Sequence, residues 1–232
     1  MNKIIVVTGT RKGLGLQIAN YFLENGCFVY GCSRRHSSIE HENYSHYVMD
    51  VSSEEDVINL VRSVYKERGR IDFLINNAGA ASMNHFILTP YETAKKLINT
   101  NFMGTFLLCR EVSKFMIKQK YGRIINFTTV AVPLNLDGEL VYSASKSAVE
   151  QLTRVLANEI GTLGVTVNAI GPTPIETDLI KNVPKNKIQE LISRQSIERL
   201  GEFKDVLNII KFFISDDSDF VTGQIIYLGG VN

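Results

Sequence analysis

The chain has 232 residues, of which 44% are hydrophobic and 21% are charged, and its formal net charge is +1. These values are typical of a globular protein with a large core, and they exclude a general attraction to nucleic acid or to an anionic membrane. No apolar segment reaches membrane-spanning length, and the run at residues 4–7 is too short for a signal-peptide core. We therefore expect a cytoplasmic protein without nucleic-acid or membrane partners.

Short apolar runs alternate with longer periodic stretches, which predicts strands alternating with helices. This alternation is typical of a mostly parallel sheet covered on both faces, so we expect an α/β fold with one doubly wound domain over residues 1–232. The predicted strands are residues 3–7, 28–32, 47–49, 73–75, 123–127, 165–170 and 224–228. The predicted helices are residues 14–25, a helix opened by a capping box of Ser52 and Glu55 and running toward Gly69, residues 92–118, and residues 141–162.

Two features of the chain predict little chemistry of their own. The cysteines and histidines are scattered and form no ligand spacing, so we expect Cys27, Cys32 and Cys109 to be reduced structural thiols and expect no metal site. Several prolines bracket an irregular segment at residues 172–201, which we expect to be a lid or specificity segment.

A glycine-rich turn follows the first predicted strand and opens the first predicted helix. Glycines let the backbone turn sharply and approach a pyrophosphate, and the helix N-terminus offers free N–H groups and a positive dipole end. The alternative is a plain strand–helix turn, but three glycines in this context favour nucleotide binding. The candidate cofactor residues here are Gly9, Arg11, Lys12, Gly13, Leu14 and Gly15.

The end of the second predicted strand indicates which nucleotide binds. An acidic residue there usually accepts a hydrogen bond from the ribose 2′-hydroxyl, whereas arginine accommodates a 2′-phosphate. This strand instead leads into Ser33, Arg34 and Arg35, with no carboxylate. Guanidinium groups bind phosphate through forked hydrogen bonds, so we predict NADP(H), with Ser33 and Arg34 as contacts. The alternative is a solvated basic cluster on the surface.

Two further motifs carry chemistry. Asn77, Ala78 and Gly79 follow the fourth predicted strand, where open α/β sheets bind ligands; a simple turn is the alternative. Tyr142 and Lys146 are four residues apart on a predicted helix and therefore share a face. An ammonium group beside a phenol favours the phenolate, so we expect Lys146 to lower the Tyr142 pKa and to make this tyrosine an acid–base group.

Together with the closing Thr222-Gly223-Gln224 and Gly229-Gly230, these motifs resemble the short-chain dehydrogenase/reductase family in order and spacing, over nearly the whole chain. The resemblance implies a Rossmann fold, a nicotinamide cofactor and carbonyl/alcohol redox chemistry. Residues 168–179 look like those of 3-oxoacyl-carrier-protein reductases. Many sugar, steroid and polyketide reductases share this pattern, so the substrate stays open.

The resemblance also implies a catalytic set. Tyr142 and Lys146 match the acid–base pair of the family, and Asn101 matches the helix asparagine that supports a proton-relay water. The family serine is replaced by Thr129, which keeps the hydroxyl group and adds a methyl group that narrows the site. The alternative is that Thr128 and Thr129 are ordinary strand threonines.

Other positions correspond to cofactor contacts of the family. Asp50 and Val51 match the pair that contacts adenine, although Asp50 can equally be a turn residue ahead of Ser52. Asn77, Ala78 and Gly79 would line the cofactor, and Lys146 would bond the nicotinamide ribose. The loop facing nicotinamide would contain Pro172, Ile175 and Thr177, with Thr173 where the family often has glycine.

These observations predict an NADPH-dependent carbonyl reductase or alcohol dehydrogenase that acts on a ketone or a secondary alcohol. The candidate ketones include 3-oxoacyl thioesters. The alternative is a non-catalytic NADP(H)-binding sensor or scaffold. Family members usually form tetramers or dimers through their long helices, so we expect a homotetramer or a homodimer with isologous contacts.

Overall fold

The computed structural model describes residues 2–175 and 184–231. Seven strands in this part of the chain form one parallel sheet, in the order β3-β2-β1-β4-β5-β6-β7 by the numbering that follows. The strands are β1 (Ile4–Thr8), β2 (Phe28–Ser33), β3 (Tyr44–Val48), β4 (Phe73–Asn76), β5 (Gly122–Phe127), β6 (Val165–Gly171) and β7 (Ile225–Tyr227).

Helices connect the strands, and none of the described helices is long and apolar enough to cross a membrane. The helices are α1 (Gly13–Glu24), α2 (Glu54–Arg68), α3 (Tyr91–Ile98), α4 (Gly104–Gln119), α5 (Ala131–Leu134), α6 (Leu140–Ile160), α7 (Lys185–Ile192) and α8 (Phe203–Ile214). The strand order reverses between β1 and β4, which creates the crevice at the carboxyl edge where such sheets bind ligands.

The sheet is buried on both faces, which explains the continuous apolar runs. In β1, Ile4 and Val6 pack on one side with residues of α2 and α4, and Ile5 and Val7 pack on the other side with residues of α1 and α8. Alternating side chains of one strand therefore serve two cores. The predicted doubly wound α/β fold is confirmed, and the described sheet is parallel throughout.

Several local predictions need correction. The cap of α2 is Ser53, whose Oγ accepts from the backbone N–H of Asp56 at 3.3 Å, and not Ser52. Ser52 is already committed, because its hydroxyl group donates to Asp50 Oδ1 at 2.7 Å. The predicted third strand, residues 47–49, begins earlier, because β3 pairs with β2 from Tyr44 onward.

Helical structure also departs from the prediction at two places. The stretch predicted as one helix at residues 92–118 contains a π-helical turn, Asn99–Met103, between α3 and α4. The segment predicted as irregular, residues 172–201, contains α7 in its described part. Helix α8 follows that segment and was not predicted.

The three cysteines are buried and free. Burial raises the pKa of Cys27, and it raises the pKa values of Cys32 and Cys109 to about 12. Protonated, inaccessible thiols react slowly, so their geometry fits the structural role expected for them.

Candidate active site

The sequence-predicted site residues meet at one edge of the sheet. Six of them follow or end a strand, and parallel strands present their carboxyl ends at the same edge. In strand order from β1 to β6, these residues are Gly9, Ser33, Asp50, Asn77, Thr129 and Pro172.

The glycine turn after β1 is fastened to the turn after β4. Asn77 Nδ2 donates to the Thr8 carbonyl oxygen at 2.9 Å, and the Ala78 N–H donates to Thr8 Oγ1 at 2.8 Å. Gly9 has a φ of +78°, and a Cβ added there would lie 2.8 Å from Asn77 Nδ2. A Cβ at Gly15 would overlap both Asn77 Nδ2 and the Gly9 carbonyl oxygen. The two turns can approach this closely only because glycine occupies both positions.

The start of α1 fits the diphosphate of a dinucleotide. The helix begins without a side-chain cap and without an acidic residue in its first turn. Its N–H groups and positive dipole end therefore face no protein carboxylate of that turn. Gly13, with a φ of +61°, opens the helix; Arg11 is half-buried, Lys12 is exposed, and Leu14 packs against the core. The residues present thus fit a phosphate-bearing cofactor.

The end of the crevice beside β2 is basic. Ser33 ends β2, and its Oγ donates to the Arg35 carbonyl oxygen at 2.5 Å, while the Arg34 side chain is exposed. Asp50 Oδ1 accepts from the Ser52 N–H at 2.9 Å as well as from its hydroxyl group, so Asp50 does act as a turn residue. Val51 is buried against Gly104 at the start of α4.

Tyr142 and Lys146 lie on α6, as predicted. Lys146 is only 4% exposed, and its Nζ donates to the Phe127 carbonyl oxygen at 2.8 Å. Burial lowers the Lys146 pKa to about 8, because a low-dielectric site disfavours the ammonium ion.

The pKa of Tyr142 moves in the direction opposite to the prediction. Burial raises the Tyr142 pKa to about 12; a hydrogen bond from Thr129 acts against this, and the charge of Glu139 adds to it. The expected depression by Lys146 is wrong for this structure, because burial in a low-dielectric site disfavours the phenolate and is the largest influence on the Tyr142 pKa. Tyr142 is therefore protonated at neutral pH.

The two threonines after β5 have different partners. Thr128 Oγ1 donates to Glu150 Oε1 at 2.6 Å, away from the acid–base pair. Thr129, 8% exposed, hydrogen-bonds to Tyr142. Thr129 therefore belongs to the candidate site together with Tyr142 and Lys146, and Thr128 does not.

Asn101 lies in the π-helical turn and is fully buried. Its Nδ2 donates to the Ala80 carbonyl oxygen and to Ser145 Oγ, each at 2.9 Å, and its Oδ1 accepts from the Ala80 N–H at 2.8 Å. A Cβ at Gly79 would lie 3.4 Å from Asn101 Oδ1 and 3.6 Å from Lys146 Nζ. The turn after β4, the π-helical turn and α6 thus converge at this asparagine. π-Helical turns often occur at functional sites.

The loop after β6 is described only in part. The Pro172 carbonyl oxygen accepts from the Val130 N–H at 3.3 Å, which joins this loop to the end of β5. Ile175 forms a parallel bridge with Gly201. Thr173 is buried and donates to Gln195 Oε1. Thr177, also predicted to contact the cofactor, lies outside the described residues.

Two residues at the site were not predicted from the sequence, Ser145 and Glu150. Ser145 donates to the Tyr142 carbonyl oxygen at 2.6 Å while it accepts from Asn101, so it links the π-helical turn to the tyrosine. Glu150 accepts from Thr128 and, at 2.5 Å, from Tyr227 of β7. Its spacing in the sequence could have indicated Glu150, because residues 142, 146 and 150 are four residues apart and therefore share one face of α6.

A family model described as enoyl-(acyl carrier protein) reductase matches residues 9–232. The chain belongs to the short-chain dehydrogenase/reductase family. Among curated relatives, it is 34% identical over 241 residues to the BbsD subunit of (2S)-((R)-hydroxy(phenyl)methyl)succinyl-CoA dehydrogenase from Thauera aromatica, covering 99% of this chain and 96% of the relative. It is 30% identical over 234 residues to the 3-oxoacyl-(acyl-carrier-protein) reductase FabG of Haemophilus influenzae, covering 98% and 97%.

Solved structures agree with this family assignment. ElxO with NADP bound has a TM-score of 0.90 and 31% identity, covering 99% of this chain and 98% of that chain. A 4-hydroxyisoleucine dehydrogenase complexed with NADH has a TM-score of 0.88 and 30% identity, covering 99% and 97%. The chain is thus an oxidoreductase of a family that interconverts C=O and CH–OH groups.

Proposed function

We propose that this protein is an NADPH-dependent carbonyl reductase that reduces a ketone to a secondary alcohol, with Tyr142 as the proton donor. The observation that carries the proposal is the cluster of a protonated phenol, the Thr129 hydroxyl group and the buried Lys146 ammonium group at the carboxyl edge of the sheet. This set contains a proton donor, a hydrogen-bond donor and a cation, which a carbonyl reduction requires and a plain binding module does not.

Each residue has a role that follows from its surroundings. Tyr142, protonated at neutral pH, donates its proton to the substrate oxygen as negative charge develops there. Thr129 donates a second hydrogen bond to the same oxygen. Lys146, about one helical turn after Tyr142 on α6, supplies positive charge. Asn101 and Ser145 hold α6 against the turn after β4. A nicotinamide cofactor, when bound, supplies the hydride.

The proposed cofactor is NADP(H), held by the glycine turn, Ser33 and Arg34. Two arginines and no carboxylate follow the end of β2, so the chain offers positive charge where a 2′-phosphate would lie. The ElxO structure with NADP supports this preference, whereas the structure with NADH shows that the fold itself accommodates either nucleotide. Asn77, Ala78, Gly79 and the loop from Pro172 to Ile175 would line the nicotinamide half.

The proposed substrates are 3-oxoacyl thioesters. The two relatives named above act, by their names, on a coenzyme A thioester and on an acyl-carrier-protein thioester. The methyl group of Thr129 narrows the position beside Tyr142, which favours an unbranched chain at the ketone. We further propose a single domain in which the described residues of the segment 172–201, namely 172–175 and 184–201, lie beside the substrate. We also propose assembly into a homodimer or homotetramer through α4 and α6.

A substrate screen that follows NADPH absorbance tests the proposal. The panel contains 3-oxoacyl thioesters, sugars and small diketones, and each is repeated with NADH. The proposal predicts turnover with NADPH and the highest kcat/KM for a 3-oxoacyl thioester. Comparable kcat/KM values with NADPH and NADH would contradict the cofactor preference. Cofactor binding without turnover across the panel would instead indicate a sensor or scaffold.

A further inference from the structure

A chain of side-chain hydrogen bonds joins three segments at the basic end of the crevice. Thr10 Oγ1 and Tyr44 Oη are 2.8 Å apart, and Tyr44 Oη and His46 Nδ1 are 2.7 Å apart. His46 Nε2 lies 3.0 Å from the Arg35 carbonyl oxygen and 3.2 Å from Ser33 Oγ. The glycine turn, the edge strand β3 and the turn after β2 are thereby connected without a gap.

The chemistry of the partners fixes the direction of these hydrogen bonds. A carbonyl oxygen only accepts, so His46 Nε2 carries the hydrogen toward Arg35. Burial lowers the His46 pKa, which favours the neutral ring, and its Nδ1 then accepts from Tyr44. The Tyr44 oxygen in turn accepts from Thr10, which is fully buried. The tautomer of His46 is therefore set by its neighbours, and each hydroxyl group in this hydrogen-bond network has one orientation.

The strand between these segments leaves room for the network. A Cβ at Gly31, in the middle of β2, would overlap Tyr44 Oη and Thr10 Oγ1. Any other residue at this position would push the two hydroxyl groups apart. Backbone bonds reinforce the connection, because the N–H groups of Gly9 and Thr10 both donate to the Cys32 carbonyl oxygen, at 2.8 and 3.3 Å. The glycine turn and the end of β2 are thus tied at the backbone and again through Tyr44.

The network fixes the path of the chain that carries the basic residues. His46 and Ser33 both bond the Arg35 carbonyl oxygen, so the turn after β2 is held at its backbone while the Arg34 and Arg35 side chains stay exposed. Binding a phosphate restricts both the side chain and the backbone of an arginine. The total loss of conformational entropy is smaller when the backbone is already fixed. A rigid turn therefore favours a ligand that carries a phosphate at this point over one that does not.

We propose that His46 and Tyr44 are positioning residues for cofactor selectivity: they hold the turn Ser33–Arg35 against the glycine turn so that its arginines bind the 2′-phosphate of the cofactor. This inference rests on the proposed NADP(H) preference and adds to it two residues that lie outside the glycine turn and the end of β2. Neither side chain needs to touch the cofactor, because each acts through the backbone of the turn.

Isothermal titration calorimetry of the intact protein with 2′,5′-ADP and with 5′-AMP tests this inference directly. The readout is the ratio of the two Kd values. The two probes differ by the 2′-phosphate alone, and neither requires a substrate. The wild type should bind 2′,5′-ADP at least about tenfold more tightly than 5′-AMP. His46→Ala and Tyr44→Phe should each lower this ratio by about fivefold or more, chiefly through weaker binding of 2′,5′-ADP. His46→Gln, whose amide can still donate to the Arg35 carbonyl oxygen, should keep most of the preference.

His41→Ala is the matched control, because His41 is exposed and precedes the same strand without joining the network; its ratio should stay at the wild-type value. Circular dichroism and thermal melting identify folded variants, and Tyr44→Phe decides the question if His46→Ala does not fold. A wild type without preference for 2′,5′-ADP would overturn the proposed cofactor and this inference with it. An unchanged ratio in the folded variants, or an equal loss for both ligands, would overturn the inference alone.

Discussion

Lys146 Nζ donates a hydrogen bond to the carbonyl oxygen of Phe127, 2.8 Å away, which ties α6 to the last residue of β5. The bond joins the helix that carries Tyr142 and Lys146 to the strand that Thr129 follows. Burial is the largest influence on both members of the acid–base pair: it raises the Tyr142 pKa and lowers the Lys146 pKa.

The burial of Lys146 predicts an alkaline limit to carbonyl reduction. Its pKa is lowered to about 8, so the charged form is present below that pH and is lost above it. We expect kcat/KM to be level at neutral pH and to fall about tenfold per pH unit above the Lys146 pKa. Lys146→Arg keeps its charge through this range and should remove that decline, although its activity will be lower. An unchanged decline in Lys146→Arg would show that another group titrates there.

The Thr129 hydroxyl group, and not its methyl group, should support turnover. Thr129→Val keeps the shape but removes the donor, so kcat/KM should fall by about 10²-fold to 10³-fold, the usual effect of losing one donor to a developing oxyanion. Thr129→Ser should retain activity and accept ketones with bulkier substituents. Steady-state kinetics on a matched pair of straight and branched ketones measures both effects.

Thr128→Val is the control for that experiment. It removes a hydrogen bond to the buried Glu150, so it should lower the free energy of unfolding by about 1–3 kcal/mol while kcat/KM changes by less than about tenfold. If Thr128→Val abolished turnover and Thr129→Val did not, the assignment of the two threonines would be reversed.

The contact between the two glycine-bearing turns should be essential for cofactor binding. Gly15→Ala places a methyl group on Asn77 Nδ2 and the Gly9 carbonyl oxygen, which forces the turns apart at a cost of about 1–3 kcal/mol. We expect the Kd for NADPH, measured by fluorescence titration, to rise by about tenfold or more. Gly161→Ala is the control, since a Cβ there would lie 3.9 Å from its nearest neighbour, and its Kd should match the wild type.

Assembly through α4 and α6 predicts that charge on their exposed apolar residues will dissociate the protein. Phe106 on α4 is 36% exposed, and Val155 on α6 is 43% exposed. Phe106→Arg and Val155→Arg should each shift the molar mass measured by light scattering toward that of one chain. Phe220→Arg is the control, because Phe220 lies outside both helices and is 99% exposed. A wild type that is monomeric at all concentrations would contradict the assembly.

Local motifs made most of the fold and the centre of the site predictable. The glycine turn and the Tyr142–Lys146 spacing depend on short-range geometry that sequence expresses directly. The features that were missed depend on residues distant in the chain. The π-helical turn at Asn101 coincides with contacts to Ala80 and to α6. The N-cap of α2 is Ser53 and not Ser52, because the Ser52 hydroxyl group is hydrogen-bonded to Asp50. The pKa of Tyr142 follows from burial, which spacing does not report.

The proposed mechanism depends on proton donation from Tyr142 to the substrate oxygen. Tyr142→Phe removes one oxygen atom and keeps the ring, so the most direct measurement compares its kcat/KM for NADPH-dependent ketone reduction with its Kd for NADPH. We expect kcat/KM to fall by about 10³-fold or more while the Kd stays within about twofold of wild type. A Tyr142→Phe protein that turns over at the wild-type rate would contradict the proposed mechanism.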